Sequence, residues 1–183
     1  MTTSEFAIEP PEVPSRWASA ERATVREILM GAQDNLTNVL AVVLGVAIGS
    51  GRADLVALAG LSAGVAEAIS MGGVLYTATR ADADLEPDPS RRGERLAPWA
   101  AGTVTFAAAL VGGLLPLAPF VFLPIGAALA ASLVTSIVAL FILGAWTTSV
   151  TGRTWWRDGL RLVIIAGAAA VAATIIGSIL RID

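Results

Sequence analysis

The chain has 183 residues, 55% of them hydrophobic and only 15% charged, with a net charge of −3 and neither cysteine nor histidine. This is the composition of a membrane protein, as is a mean hydropathy of +0.73. The missing residue types exclude disulfides, haem ligation, Cys or His nucleophiles and thiolate or imidazole metal sites. Any metal must therefore be held by carboxylate, amide, hydroxyl, carbonyl or thioether groups.

Residues 1–19 carry Glu5, Glu9 and Glu12, with Pro10, Pro11 and Pro14 breaking any helix. The stretch has neither the basic start nor the apolar core of a signal peptide and reads as a disordered cytoplasmic tail, leaving 20–183 as one transmembrane domain. A helix is expected to begin near Ser19, a reasonable N-cap, with Glu21, Arg22, Arg26 and Glu27 as a charged lead-in. The first span covers 28–49. Its opening half holds Gln33, Asp34, Asn35, Thr37 and Asn38, whereas Leu40 to Ile48 is wholly apolar, and Gly45 and Gly49 make a close-contact face suited to a dimer. A plain anchor has no use for an Asp and several amides near its inner end. The alternative is an interfacial helix start with a solvated polar face.

After a tight turn at Ser50 to Asp54, the second span covers 55–77. The run from Leu55 to Tyr76 has 22 residues, which at about 1.5 Å per residue reach roughly 33 Å against a hydrocarbon core of about 30 Å. Glu67 sits near its middle, where an ionised side chain costs about 2.5–3.5 kcal/mol on insertion scales. Met71 follows one turn later on the same face. Gly60, Gly64, Ala68 and Gly72 form an adjacent small-residue stripe, so another backbone can come close. A carboxylate beside a sulfur on such a helix suggests an ion site. The plainer alternative is a protonated structural Glu bonded to a neighbouring helix, with Met71 as packing.

The connection 78–98 is expected to be a cytoplasmic loop. It holds five acids (Asp82, Asp84, Glu86, Asp88 and Glu94) and four arginines (Arg80, Arg91, Arg92 and Arg95), and Pro87 and Pro89 keep its middle extended. Such a run attracts divalent cations or simply forms a solvated linker. The third span, 99–115, opens on the interfacial Trp99. Pro116, Pro119 and Pro124 punctuate the way to a fourth span, 125–148, where Ser132, Thr135 and Ser136 suit helix packing or line a path. A short loop with Trp155 and Trp156 leads to the fifth span, 160–180, rich in Ala and Gly.

All twelve basic residues are arginine, and an N-terminus in the cytoplasm puts ten of them inside, leaving only Arg52 and Arg181 outside. The positive-inside rule thus predicts an all-α protein of five transmembrane helices, N-terminus cytoplasmic and C-terminus outside. On these boundaries Asp34 and Met71 each lie six residues, about 9 Å, from the inner end, and Glu67 lies one turn deeper. Asp34, Glu67 and Met71 can converge in an antiparallel pair, with Asn35 or Asn38 adding amide oxygens. No acid other than Asp34 and Glu67 falls inside an expected span.

At these residues the chain resembles a known family. The pattern RxILxGxxDxLxxVLxxVxGVAxGSG from Arg26, AGLSAGxAEAISM from Ala59 and WRDGLRL from Trp156 is similar to that of the vacuolar iron transporter family. The resemblance implies a five-helix homodimer that exchanges Fe(II), often also Mn(II), for protons. Its ion path uses carboxylates and thioethers of the first two helices near the dimer axis. Carried over by position, that implicates Asp34, Glu67 and Met71. Two departures stand out. Many members follow Ser-Met with Gly-Glu-Tyr, where this chain has Leu75 in place of the acid, and the Glu-rich cytoplasmic helical domain between the second and third spans is absent.

The chemistry fits. Carboxylates suit hard divalent ions, a thioether favours Fe(II) over Mg(II) or Ca(II), and a proton held on Glu67 would be displaced by metal. The expected protein is a homodimer in the bacterial plasma membrane that exports Fe(II) or Mn(II) from the cytoplasm by proton exchange, with no resident cofactor and no nucleic-acid partner. The alternative is a non-transporting membrane module that docks a soluble iron-storage or oxidase partner through its acidic tail and loop. An enzyme is not expected, since no nucleophile–base pair or cofactor motif is present.

Overall fold

The computed structural model describes residues 19–86, 96–151 and 154–181. The tail 1–18 lies outside the described residues, as do Pro87, Asp88, Pro89, Arg91, Arg92, Glu94 and Arg95 of the connection and Arg153. The described chain is all-α: α1 (Ser19–Ser50), α2 (Ala53–Leu85), α3 (Pro98–Leu114), α4 (Ala118–Phe122), α5 (Ile125–Thr151) and α6 (Trp155–Ile179). Among the described residues, α1, α2, α5 and α6 have windows long and apolar enough to cross a membrane. The apolar α3, of 17 residues, is shorter.

Several boundaries differ from expectation: α5 runs on to Thr151, and α6 begins at Trp155 and so takes in Trp155 and Trp156, read as loop. Residues 78–85, read as loop, continue α2 to Leu85. Between Thr77 and Leu85 there is no Gly or Pro to stop a helix, and the first breaker is Pro87. Glu86, the C-cap, already has the extended backbone (φ −73°, ψ 112°) that a following Pro allows. The proline-rich connection after α3 also contains one short helix, α4, where Pro119 sits in the first turn and needs no N–H.

α1 is the central element, packed against α2, α3, α5 and α6. Leu36, Val39, Leu40 and Val43 are almost wholly enclosed. The other helices turn large apolar side chains outward instead, including Ile69, Val111, Ile142, Ile164 and Val171. Such a surface suits hydrocarbon, not water. Contacts along the helices pair Gly31 with Thr105 and Ala32 with Gly112, and also Gly45 with Ala173 and Gly49 with Gly177. α1, α3 and α6 therefore run parallel. α2 runs against them, since Asn35 bonds Gly64 while Gly60 meets Val43 further along α1. The turn from α1 into α2 passes through Gly51 at φ 63°, the left-handed region that glycine enters without strain.

The small-residue stripe of α2 behaves as its spacing predicts. Gly60, Gly64, Ala68 and Gly72 are all buried. Gly72 and Gly102 meet backbone to backbone: a Cβ on Gly72 would stand 3.0 Å from Gly102 O, and one on Gly102 would stand 2.8 Å from Gly72 O. The Gly45 and Gly49 face makes a close contact within the chain. It meets α6, with added Cβ atoms 3.3 Å from Ala173 O and 3.2 Å from Gly177 O, beside an open apolar groove of about 460 Å³ that the same glycines line. Small residues mark close helix contact but do not say with which helix.

Candidate metal-ion site

The polar half of α1 faces two neighbours, and each polar residue takes a different one. Asn35 is fully buried and donates from Nδ2 to Gly64 O of α2 (2.9 Å) and to Ala109 O of α3 (2.8 Å). A single amide thus ties three helices together. It can do so because Gly64 leaves its carbonyl accessible and Gly113 makes room, since a Cβ on Gly113 would lie 2.7 Å from Asn35 Nδ2. Asn35 Oδ1 is buried without a hydrogen-bond partner.

The Asn35–Gly64 bond sets the register of α1 against α2 and so brings Asp34 and Glu67 to one level. The Glu67 carboxyl faces the Asp34 carboxyl and the Asn38 amide across the α1–α2 contact. Asp34, Glu67 and Met71 are all half-buried, and Asn38 is exposed. Of the residues singled out by sequence, Asp34, Asn38 and Glu67 thus converge. Met71 stands one helical turn from Glu67 on α2. Asn35 points instead toward the α2–α3 seam.

Among the described residues no group of three or more carboxylates gathers at one place. The two-carboxylate cluster, with an amide oxygen and a nearby thioether, is a sparse donor set. It suits a divalent ion that passes through better than one held permanently, because tight cages surround the ion with many fixed ligands.

Ser132 and Ser136, placed on α5 for packing or a path, are both fully buried. Ser132 Oγ donates to Pro116 O at 2.8 Å, filling the carbonyl of a turn, whereas Ser136 Oγ has no partner. Thr135 is exposed and returns its hydroxyl to Ala131 O of its own helix.

Two ionisable residues escaped the sequence reading. Glu27, taken for a solvated lead-in, is only 6% exposed. The available signal was its spacing: seven residues before Asp34 puts it two turns away on nearly the same helix face. Asp158, in the first turn of α6, has Oδ2 buried without a partner and lines a recess of about 270 Å³ with Gln33, Thr147 and Arg161. Its position near a helix N-terminus is electrostatically favourable for an acid.

The model of the VIT family matches residues 25–96 and 81–178, which together take in every helix described above except the first six residues of α1 and the last residue of α6. The chain belongs to the VIT family, the vacuolar iron transporters. It is accordingly a multi-pass membrane protein from a family of metal-ion transporters, whose members are not enzymes. A comparison with curated proteins gave no match. Within this VIT-family chain, Leu75, the residue that replaces the motif acid, is buried on the packed face of α2.

Proposed function

We propose that this protein exports Fe(II), and by the same donor set Mn(II), from the cytoplasm in exchange for protons, working as a homodimer in the bacterial plasma membrane. The observation that carries the reading is the approach of the Glu67 carboxyl to Asp34 and Asn38 across the α1–α2 contact. Two carboxyl groups held side by side at this depth favour sharing a proton, because two like charges brought together out of water repel. A metal ion entering between Asp34 and Glu67 displaces that proton, which couples the two fluxes in opposite directions. Met71 supplies softness that favours Fe(II) over Mg(II). Asn38 offers an amide oxygen, and Asn35 supports the path by holding α1 on α2.

Dimerisation is supported by a second stripe on α2. Ser62, Ala66, Ser70, Gly73 and Thr77 follow one another at helical spacing and are exposed beside Glu67. Small and hydroxyl residues suit a facing helix better than lipid, so a second copy is the natural cover for this stripe and for Asn38. The arginine asymmetry supports a cytoplasmic N-terminus and a C-terminus outside. Reporter tags at the N-terminus and C-terminus are expected on opposite sides; a cytoplasmic C-terminal tag overturns that orientation.

The deciding experiment is transport in proteoliposomes, comparing Fe(II), Mn(II), Co(II), Zn(II) and Mg(II) while internal pH is followed. Metal-dependent proton movement with Fe(II) and Mn(II) preferred is the expected result. A protein that moves neither metal nor protons is not an exchanger.

A further inference from the structure

Glu27 is the one charged residue among the described residues to be buried in the core. Its Oε2 has no hydrogen-bond partner. Thr105 of α3, fully buried, presents its hydroxyl beside this carboxyl, and Thr105 Oγ1 is likewise unpartnered. One turn along α1, Gly31 is pressed against the Thr105 backbone, where a Cβ would stand 2.6 Å from Thr105 O, so the two helices touch directly there. The other group acting on the carboxyl is Arg26 of the same helix, which is exposed; among the described residues no titratable group of α2, α5 or α6 acts on it.

A buried carboxylate with an unfilled oxygen is strongly disfavoured as an anion. As the neutral acid it has an O–H to donate, and the Thr105 hydroxyl is the adjacent acceptor. The two orphan atoms can meet with Thr105 donating to the carboxylate or with the acid donating to Thr105, and only the second leaves no charge buried. Thr105 accepts from the acid while its own O–H remains free to turn.

We propose that Glu27 and Thr105 form a second proton-holding site, separate from Asp34 and Glu67, through which the proton displaced by metal passes to the cytoplasm. Glu27 lies two turns, about 10 Å, nearer the start of α1 than Asp34, on nearly the same face. In each cycle Glu27 gives its proton to cytoplasmic water and takes up the one released from the Asp34–Glu67 pair. One proton enters, one leaves, and no electrons move. The route rests on the exchange reading above, whereas the existence of the proton-holding site does not.

Infrared spectra of the full chain in lipid at neutral pH test the site without any transport. A carboxylic-acid C=O stretch is expected that disappears in Glu27→Gln and persists in Glu67→Gln. Thr105→Val, which keeps the shape and removes the acceptor, should move that same band to higher frequency. It also serves as the second variant if Glu27→Gln folds poorly. Wild-type and Glu27→Gln spectra with the same acid bands, or a Thr105→Val spectrum with the band unmoved, overturn the site. In proteoliposomes, Glu27→Gln should lower proton flux per metal ion by at least about tenfold, as expected on removing a positioned proton-transfer group. Unchanged coupling in Glu27→Gln overturns the route. A wild-type protein that moves no metal overturns the exchange reading, and the infrared result still decides the site.

Discussion

The two halves of α1 solve the same packing problem by opposite means. From Gly45 to Gly49 the helix meets α6 with bare backbone, glycine against Ala173 and Gly177, and there is no polar side chain in the contact. From Glu27 to Asn38 it meets α2 and α3 through polar groups, one of which, Asn35, bonds two carbonyls while others are left with unpartnered atoms. The apolar half asks for no proton or cation, since dispersion contacts need only apolar neighbours. The polar half is incomplete: carboxyl groups at that depth call for a proton or a cation. A transporter needs both, a rigid contact that holds the helix and an unsatisfied one that an ion can complete.

The sharpest way to break this contrast is Glu67→Gln, which keeps the shape and removes the titratable group. Metal-coupled proton movement should fall to the level of empty liposomes in correctly folded protein, with Asp34→Asn weakening metal binding less completely. Wild-type coupling in Glu67→Gln would falsify the proposal that this carboxyl carries the exchange. In the apolar half, Gly49→Leu must push α6 away, because even a Cβ lies 3.2 Å from Gly177 O. A stability loss of about 1–3 kcal/mol is expected from such overpacking. Denaturation in detergent checks it, and unchanged stability would mean that α1 and α6 do not meet there.

Asn35→Ala separates structural from ionic roles within the polar half. It deletes two interhelical hydrogen bonds without touching a carboxylate, so a loss of about 1–2 kcal/mol is expected, in line with such bonds in membranes. Residual transport of this variant should keep its wild-type ion preference, and an altered preference would place Asn35 in the path itself. The smallest effect is expected from Met71→Leu, which keeps volume and removes only sulfur. Transport should persist while the preference for Fe(II) over Mg(II) narrows by a few-fold, roughly 1 kcal/mol or less. Direct competition between the two ions reads this out, and an unchanged ratio assigns Met71 to packing.

The family, the all-α membrane character and the apolar stretches of the helices were legible in the residues, because hydropathy over some twenty positions is a local property. Depth was legible only to within a helical turn: rise converts position into depth and put Met71 level with Asp34 and Glu67 one turn deeper, whereas in the fold Glu67 is the residue beside Asp34. Partner choice was not legible. Gly45 and Gly49 announced a close contact, yet only the fold shows that α6 makes it. Asn35 and Asn38 look alike in the sequence; three residues of helical rotation send one into the three-helix seam and the other to the exposed edge beside Glu67. Glu27 shows the same limit most clearly, since a charged residue before an apolar run reads as solvated. It is buried because α3 packs over the start of α1, with Gly31 against Thr105. Periodicity determines which residues share a face and how deep they lie, but what covers that face depends on helices distant in sequence, and only the tertiary structure decides it.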